Sequence, residues 1–462
     1  MSNSDALQPV PARWRGHVLA PAFALAMAAF LTQLDVTAVV VVMPAIGGDL
    51  GFGLAGFAWV MDAYSLAFTG FLLVAGALAD RHGRRHALLG GNILFAVASL
   101  GCGLAWDGPS LWAARVVQGA GAAFVITGAM ASIAGAYPEP GGRVRAFGLM
   151  GVISGAAMAL GPTLGGLVGS WLGWRWIFLA NLPICLLIAL AVPRLVTESR
   201  DADGRPLDLT GVALLTSALG FAIASLLQGG HMPGGLWLGL LVSAGLATGF
   251  VVRQRRQPRP MLDPDLFMRP AMIGIAALLL AMSVSYWAML VYLPLFLRST
   301  FALSLAQAGL AMLAATLPML VLPPVGAGLM TRWGWRRLFA TGLAIVAMGD
   351  LVLAAAAVGG GTAMGFGVVL VGMGCIGVGA GLVNPQLSGV VIALTPPAQA
   401  GMASAITVVL RQAGFAIGIA ALGVAQGLDV TTEGFARAFV LAAVVAMAGC
   451  AAAMVLLREP VK

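Results

Sequence analysis

GALADRHGRRHALL, residues 76–89, packs one acid, three arginines and two of the chain's four histidines between two long apolar runs. Only 9% of the 462 residues are charged, so such a concentration needs a reason. A nucleic-acid patch, a metal site and a loop at a membrane surface are the three readings it opens.

Composition decides among them. At 60% hydrophobic residues and a mean hydropathy of +0.98, the chain has too little polar surface to cover a water-soluble globule. Apolar segments of roughly 20 residues, separated by short polar turns, recur along nearly the whole length, which is the pattern of membrane-spanning helices and not of a barrel. The expected fold class is therefore all-α and polytopic. Apolar runs place spans at 18–44, 56–79, 87–105, 110–136, 144–170, 176–196, 209–228, 235–252, 271–297, 305–330, 338–358, 362–384, 402–426 and 434–457, fourteen in all. The first run follows Arg13 and Arg15 as a signal peptide would, but it is too long for a signal core and carries Asp35, so it reads as a retained span.

Charge tests the count. Fourteen spans put both termini on one side, and that side receives 20 of the 25 Lys and Arg residues. Only Arg175, Arg298 and Arg437 fall opposite, with Arg115 and Arg411 inside spans. The positive-inside rule makes the basic side cytoplasmic, so the net charge of +8 is a topology signal and no nucleic-acid partner is expected. The expected location is the bacterial inner membrane. Two longer polar loops, after the sixth and eighth spans, bracket a helix pair and split the rest into six plus six. The expected domains are a tail at 1–17, a six-helix bundle at 18–196, loops with an inserted pair at 197–270, a second bundle at 271–457 and a tail at 458–462. An internal repeat agrees: LADRHGRR at 78–85 is echoed by LMTRWGWR at 329–336, 251 residues on. Parallel repeats of this kind build one large class of transporters.

With these motifs assembled, the chain resembles the major facilitator superfamily in its fourteen-helix drug:proton antiporter branch. Gly76, Leu78, Asp80, Arg81, Gly83, Arg84 and Arg85 resemble the superfamily's loop signature. LDVTAVVVVMP (34–44), RVVQGAGAA (115–123), GAAMALGPTLGG (155–166), GWRWIFLANLPI (173–184) and RQAGFAIG (411–418) follow in the branch's order. The resemblance covers all but the first dozen residues. It implies two six-helix bundles plus two inserted helices, proton-coupled efflux of hydrophobic or cationic compounds by alternating access, and a monomer. An exporter or importer of an endogenous metabolite is the alternative, and a sensor or scaffold without flux a more distant one.

The residues carry their own readings. Asp35, near the middle of an apolar span, costs about 2.5–3.5 kcal/mol there unless watered, paired or protonated. It is expected to line a cavity and carry a proton, the bland reading being an acid that snorkels to the outer surface or pairs with a neighbour. Arg115 keeps its proton in proteins, so its work beside a carboxylate would be electrostatic; otherwise it snorkels to the interface. The resemblance implies that it assists proton transfer. Gln118 lies one turn on, on the same face.

Asp62 heads a stripe with Ser65 and Thr69 that either faces a cavity or hydrogen-bonds between helices. Asp350 is a second midplane acid, read as a further protonation site or as lying against Arg411. Tyr286, Trp287 and Tyr292 suit a cavity wall, an interfacial belt or core packing. In the fifth span Gly155, Gly161, Pro162, Gly165 and Gly166 read as tight packing about a bend, and the resemblance adds that this bend seals or rocks the two halves. It also implies that Asp80 and the loop arginines latch one bundle to the other in the outward-facing state.

No enzymatic site is expected. The chain has no Walker-A sequence or nucleophile elbow, and the histidines lack metal spacing, with three arginines beside His82 and His86 disfavouring a dication. The four cysteines lie in or at the end of apolar runs and read as packing residues. Neither metal nor cofactor is expected. The implied partners are the lipid bilayer, protons and a small-molecule substrate.

Overall fold

A computed structural model describes residues 12–137, 139–200, 208–228, 235–257, 269–359, 362–394, 400–427 and 431–457. The side chain of Asp80, most of the tail expected at 1–17 and the whole of that at 458–462 lie outside the described residues. Among the described residues the chain is helical, without strands. Ten helical stretches are long and apolar enough to cross a membrane, and Ala213–Ala222 and Leu305–Val321 are shorter apolar helices.

The first half comprises α1 (Ala12–Leu50), α2 (Leu54–His82), α3 (Arg84–Gly103), α4 (Gly108–Ala136), α5 (Pro140–Trp171), the short α6 (Arg175–Leu179) and α7 (Asn181–Leu195). Next come α8 (Leu209–Gln228) and α9 (Gly235–Arg256), the inserted pair. The second half comprises α10 (Pro270–Met282), a π turn at Ser283–Ala288, α11 (Met289–Phe301), α12 (Leu305–Ala311), α13 (Leu313–Val321), α14 (Pro323–Val358), α15 (Ala363–Leu394), α16 (Ala400–Gln426) and α17 (Thr432–Leu456).

Several predicted boundaries are corrected. The first span runs on through Pro44 to Leu50, a proline being tolerated inside a membrane-spanning helix. The sixth span breaks between α6 and α7: Pro183 has no N–H to offer the carbonyl of Leu179, so the helix restarts at Asn181. The loop expected at 331–337 is a sharp kink: two helices, together labelled α14, meet at Gly334, whose φ of 76° and ψ of 164° lie outside the helical region.

The repeat is real in the backbone. Gly83, at φ 116°, stands in the first loop where Gly334 stands in its echo, and a side chain at either would be strained.

One core fills the first bundle and another joins the two halves. The start of α1, from Ala22 to Leu31, packs with Leu88, Phe95, Val125 and Ile188 inside the first bundle. Further along α1, Ala38 to Ile46 joins Met61, Leu111 and Phe178 in one continuous core with Tyr292, Leu293 and Phe296 of the second. The bundles thus share a core at the end marked by Ile46 and Phe296. Helix α5 closes that end against α12 and α13: Thr163 Oγ1 donates to the carbonyl of Gly309 at 2.9 Å and Thr316 Oγ1 to that of Ala159 at 2.7 Å. Helix α2 packs on α16, and α8 touches both.

Candidate functional site

Asp107 begins α4 with a capping box. Its carboxylate accepts from the backbone N–H of Ser110 at 2.9 Å, and the Ser110 hydroxyl faces back. Arg115 follows two turns later with its side chain turned inward, fully buried. Its Nη1 lies 2.6 Å from Asp35 Oδ2 and 2.7 Å from Gln118 Oε1, and its Nε donates to the carbonyl of Val60 at 3.0 Å. The guanidinium sits 4.3 Å over the ring of Tyr64, which supplies a cation–π contact where water is excluded.

The other carboxylate oxygen, Asp35 Oδ1, accepts from Gln118 Nε2 at 2.9 Å and from Asn181 Nδ2 at 2.7 Å. Gln118 Nε2 also donates to Ser99 Oγ at 2.9 Å, and Cys102 Sγ lies 3.6 Å from Gln118 Oε1. Five helices, α1, α2, α3, α4 and α7, therefore meet around one ion pair. Asp35 is 1% exposed and Asn181 1%.

The expectation that Asp35 lines an open cavity is corrected in this conformation: the carboxylate is enclosed, ion-paired and hydrogen-bonded on both oxygens. Arg115 does not snorkel, because Asp35 holds its charge inside. Sequence reasoning singled out Asp35, Arg115 and Gln118 but missed Asn181, Ser99, Tyr64 and Cys102. A signal existed for Asn181, the amide in the apolar run GWRWIFLANLPI.

The glycines of the fifth span set the depth of α1. Gly161 and Gly165 lie so close to Thr37 and Ala38, one turn past Asp35, that a methyl on either glycine would collide with α1. Gly166 faces the other bundle instead, where a Cβ would stand 2.5 Å from the carbonyl of Leu305. Gly155 faces only the tip of Leu320. Helix α5 continues through Pro162, whose carbonyl lies against Gly309.

The remaining acids stand apart from this cluster. Asp62, Ser65 and Thr69 are buried, and neither Asp62 oxygen has a hydrogen-bond partner among the described residues. Asp350 is buried with both oxygens equally unpartnered. The alternative that it lies against Arg411 is corrected: no ion pair joins them among the described residues, and Arg411 offers its carbonyl to Ser283 Oγ at 3.0 Å. Tyr286 and Tyr292 are core residues whose hydroxyls donate to the carbonyls of Ala315 and Ile419.

The charged loop is bound to its own bundle by a residue the sequence did not flag. Glu198, just past α7, accepts from the backbone N–H groups of Arg85 and His86 at 3.0 and 3.1 Å and so caps the start of α3. Arg85 Nη1 donates to the carbonyl of Val196 at 3.2 Å. Partial burial works against the charge of Glu198, but the N–H groups of Arg85, Ser199 and His86 and the adjacent imidazole prevail and hold its carboxyl below the usual range. Gly76 packs loosely, with Thr127 nearest, and Arg81 is exposed. Among the described residues no group of three or more His, Cys, Asp or Glu could hold a metal ion.

Two repeated helical bundles sharing a core at one end, with an ion pair sealed inside one of them, define a secondary-transporter architecture. The chain belongs to the Major Facilitator Superfamily, whose family model matches residues 25–419 and, in a second match, 275–462. Among its relatives are the multidrug resistance protein Stp of Mycobacterium tuberculosis, 32% identical over 87% of this chain and 75% of that one, and the cephamycin export protein CmcT of Amycolatopsis lactamdurans, 35% identical over 85% and 82%. A methylenomycin A resistance protein of Streptomyces coelicolor is 31% identical over 87% and 84%. In fold the chain is similar to the peptide transporter POT solved with sulfate, at a TM-score of 0.70 and 17% identity over 94% and 93% of the two chains. A D-xylose-proton symporter matches at 0.69 and 15% over 96% and 98%.

Proposed function

We propose that this protein exports hydrophobic or cationic compounds across the bacterial inner membrane in exchange for protons, as a fourteen-span monomer with cytoplasmic termini and no enzymatic activity. The observation that carries the reading is the buried Asp35–Arg115 pair. Arg115 keeps its proton, so the charge of the pair changes only at Asp35. Protonating Asp35 leaves a guanidinium buried without its counter-ion, and breaking a buried pair costs about 3–5 kcal/mol. The enclosed arrangement is then no longer favoured, and the helices around it move to let water reach Arg115. A proton entering down a 100 mV potential supplies about 2.3 kcal/mol, the same order as that cost.

The shared core at the Ile46 and Phe296 end is one closed gate of the rocking cycle, and the loop from Gly76 to Arg85 is its latch at the other end. The relatives named for drug resistance and antibiotic export support the direction of transport and the substrate class. Asp62, buried with no hydrogen-bond partner among the described residues, suits a cation in transit. The test is Asp35→Asn in everted vesicles, where proton-driven efflux is expected to be lost at matched protein levels; wild-type efflux would overturn the reading.

A further inference from the structure

The two amides on Asp35 Oδ1 are not equivalent. Gln118 is locked from behind, because its Oε1 accepts from Arg115 Nη1 and from Cys102 Sγ, and turning it over would press its NH2 group against the guanidinium. Asn181 is the shorter contact on that oxygen, and its only other side-chain hydrogen bond among the described residues is a long one of 3.4 Å to Ser99 Oγ. It also stands where α7 restarts after the break at Ala180, so it joins the carboxylate to the last span of the first bundle.

The groups that face Asp35 are few. Among the described residues Arg115 on α4 is the one charge facing it, and Tyr64 on α2, Cys102 on α3 and Cys185 on α7 are the other titratable neighbours, with no second acid. Each side chain hydrogen-bonded to the carboxylate is a donor, so the pocket is built for the charged form.

We propose that Asn181 is a positioning residue of the proton site: its Nδ2 donates to Asp35 Oδ1, holds the carboxylate against Arg115 and sets the pH at which transport turns over. The inference rests on the reading of Asp35 as the proton carrier. A hydrogen bond to the charged form of a carboxyl favours that form, so removing Asn181 favours proton uptake at higher pH. A second carboxylate in its place would push the same way, because two acids that close retain one proton between them.

The experiment is substrate-driven proton exchange in proteoliposomes, measured from pH 5 to 9 for the wild type, Asn181→Ala, Asn181→Asp and Asp35→Asn, with equilibrium binding of a fluorescent cationic substrate alongside. Asn181→Ala is expected to move the transport midpoint about one pH unit toward alkaline and Asn181→Asp at least as far, with substrate affinity within about twofold of wild type. The near-isosteric aspartate keeps the test alive if the alanine variant does not fold. Profiles that overlay the wild type for folded Asn181 variants, while Asp35→Asn abolishes exchange, would overturn this inference alone. Wild-type exchange by Asp35→Asn would instead overturn the reading beneath it.

Discussion

Ser99 and Asp350 hold corresponding places in the two bundles, each sixteen residues past the glycine, Gly83 or Gly334, at which the backbone turns to positive φ. The same symmetry sets the carbonyl of Tyr64 against Gly119 and that of Ala315 against Gly377. Ile376 therefore stands where Gln118 does and Met373 where Arg115 does. Among the described residues neither Asp350 oxygen has a hydrogen-bond partner, whereas Ser99 Oγ accepts from Gln118, whose counterpart Ile376 has no polar group to offer.

A buried carboxyl without partners costs stability, about 1–3 kcal/mol for an unsatisfied polar group. Asp350→Thr should therefore raise the melting temperature in detergent, since a buried threonine hydroxyl can bond back to its own helix as Thr32 and Thr37 do. Efflux is expected to stay within about twofold of wild type. A folded variant without efflux would make Asp350 a coupling group.

Gly161 sets how close α5 comes to α1 beside Asp35. Gly161→Leu forces the helices apart, an overpacking cost of about 1–3 kcal/mol or more, and should lower efflux at least tenfold. The check is initial efflux rate at matched membrane abundance, with Gly148→Leu, at an open position, as the tolerated control.

Glu198 ties the charged loop to the start of α3. Its folded carboxyl is held low, so its contribution is full at neutral pH and is lost as pH falls through that depressed value. Glu198→Gln should lower the melting temperature at pH 7, by the equivalent of about 1 kcal/mol. The gap to wild type should close in acid below the ordinary glutamate range, and a pH-independent gap would count against this role.

Gly166 and Gly309 meet where the bundles share their core, with a Cβ on Gly309 only 3.1 Å from the Cα of Gly166. Gly309→Ala would place its methyl 2.7 Å from the carbonyl of Pro162, so the closed contact is overpacked by about 1–3 kcal/mol. Initial efflux at matched membrane abundance should fall severalfold, with Gly148→Ala, at an open position, as the tolerated control. Wild-type efflux by Gly309→Ala would mean that this close approach is not part of the cycle.

Much of this was legible in the sequence. The apolar runs gave the helices, the lysine and arginine bias gave a test of their number, and the echo of residues 78–85 located the repeat. Asp35 and Arg115 stood out because ionisable groups are rare in apolar spans. Asn181, Ser99 and Tyr64 did not, since uncharged polar residues are ordinary in such helices and only the crossing of α1, α2, α3, α4 and α7 brings them around one ion pair. Glu198 was hidden by its setting in a charged loop, where one more acid carries no signal. The tightness of the turn between the two helices of α14 was missed because Gly334 alone leaves the helical region, while the composition around it reads as a loop.

Proton exchange coupled to substrate in liposomes containing purified Asp35→Asn tests the central claim most directly. Wild-type protein should exchange protons for substrate, and Asp35→Asn should bind substrate yet exchange none. Proton-coupled transport by Asp35→Asn at the wild-type rate would contradict the claim that this carboxylate carries the proton.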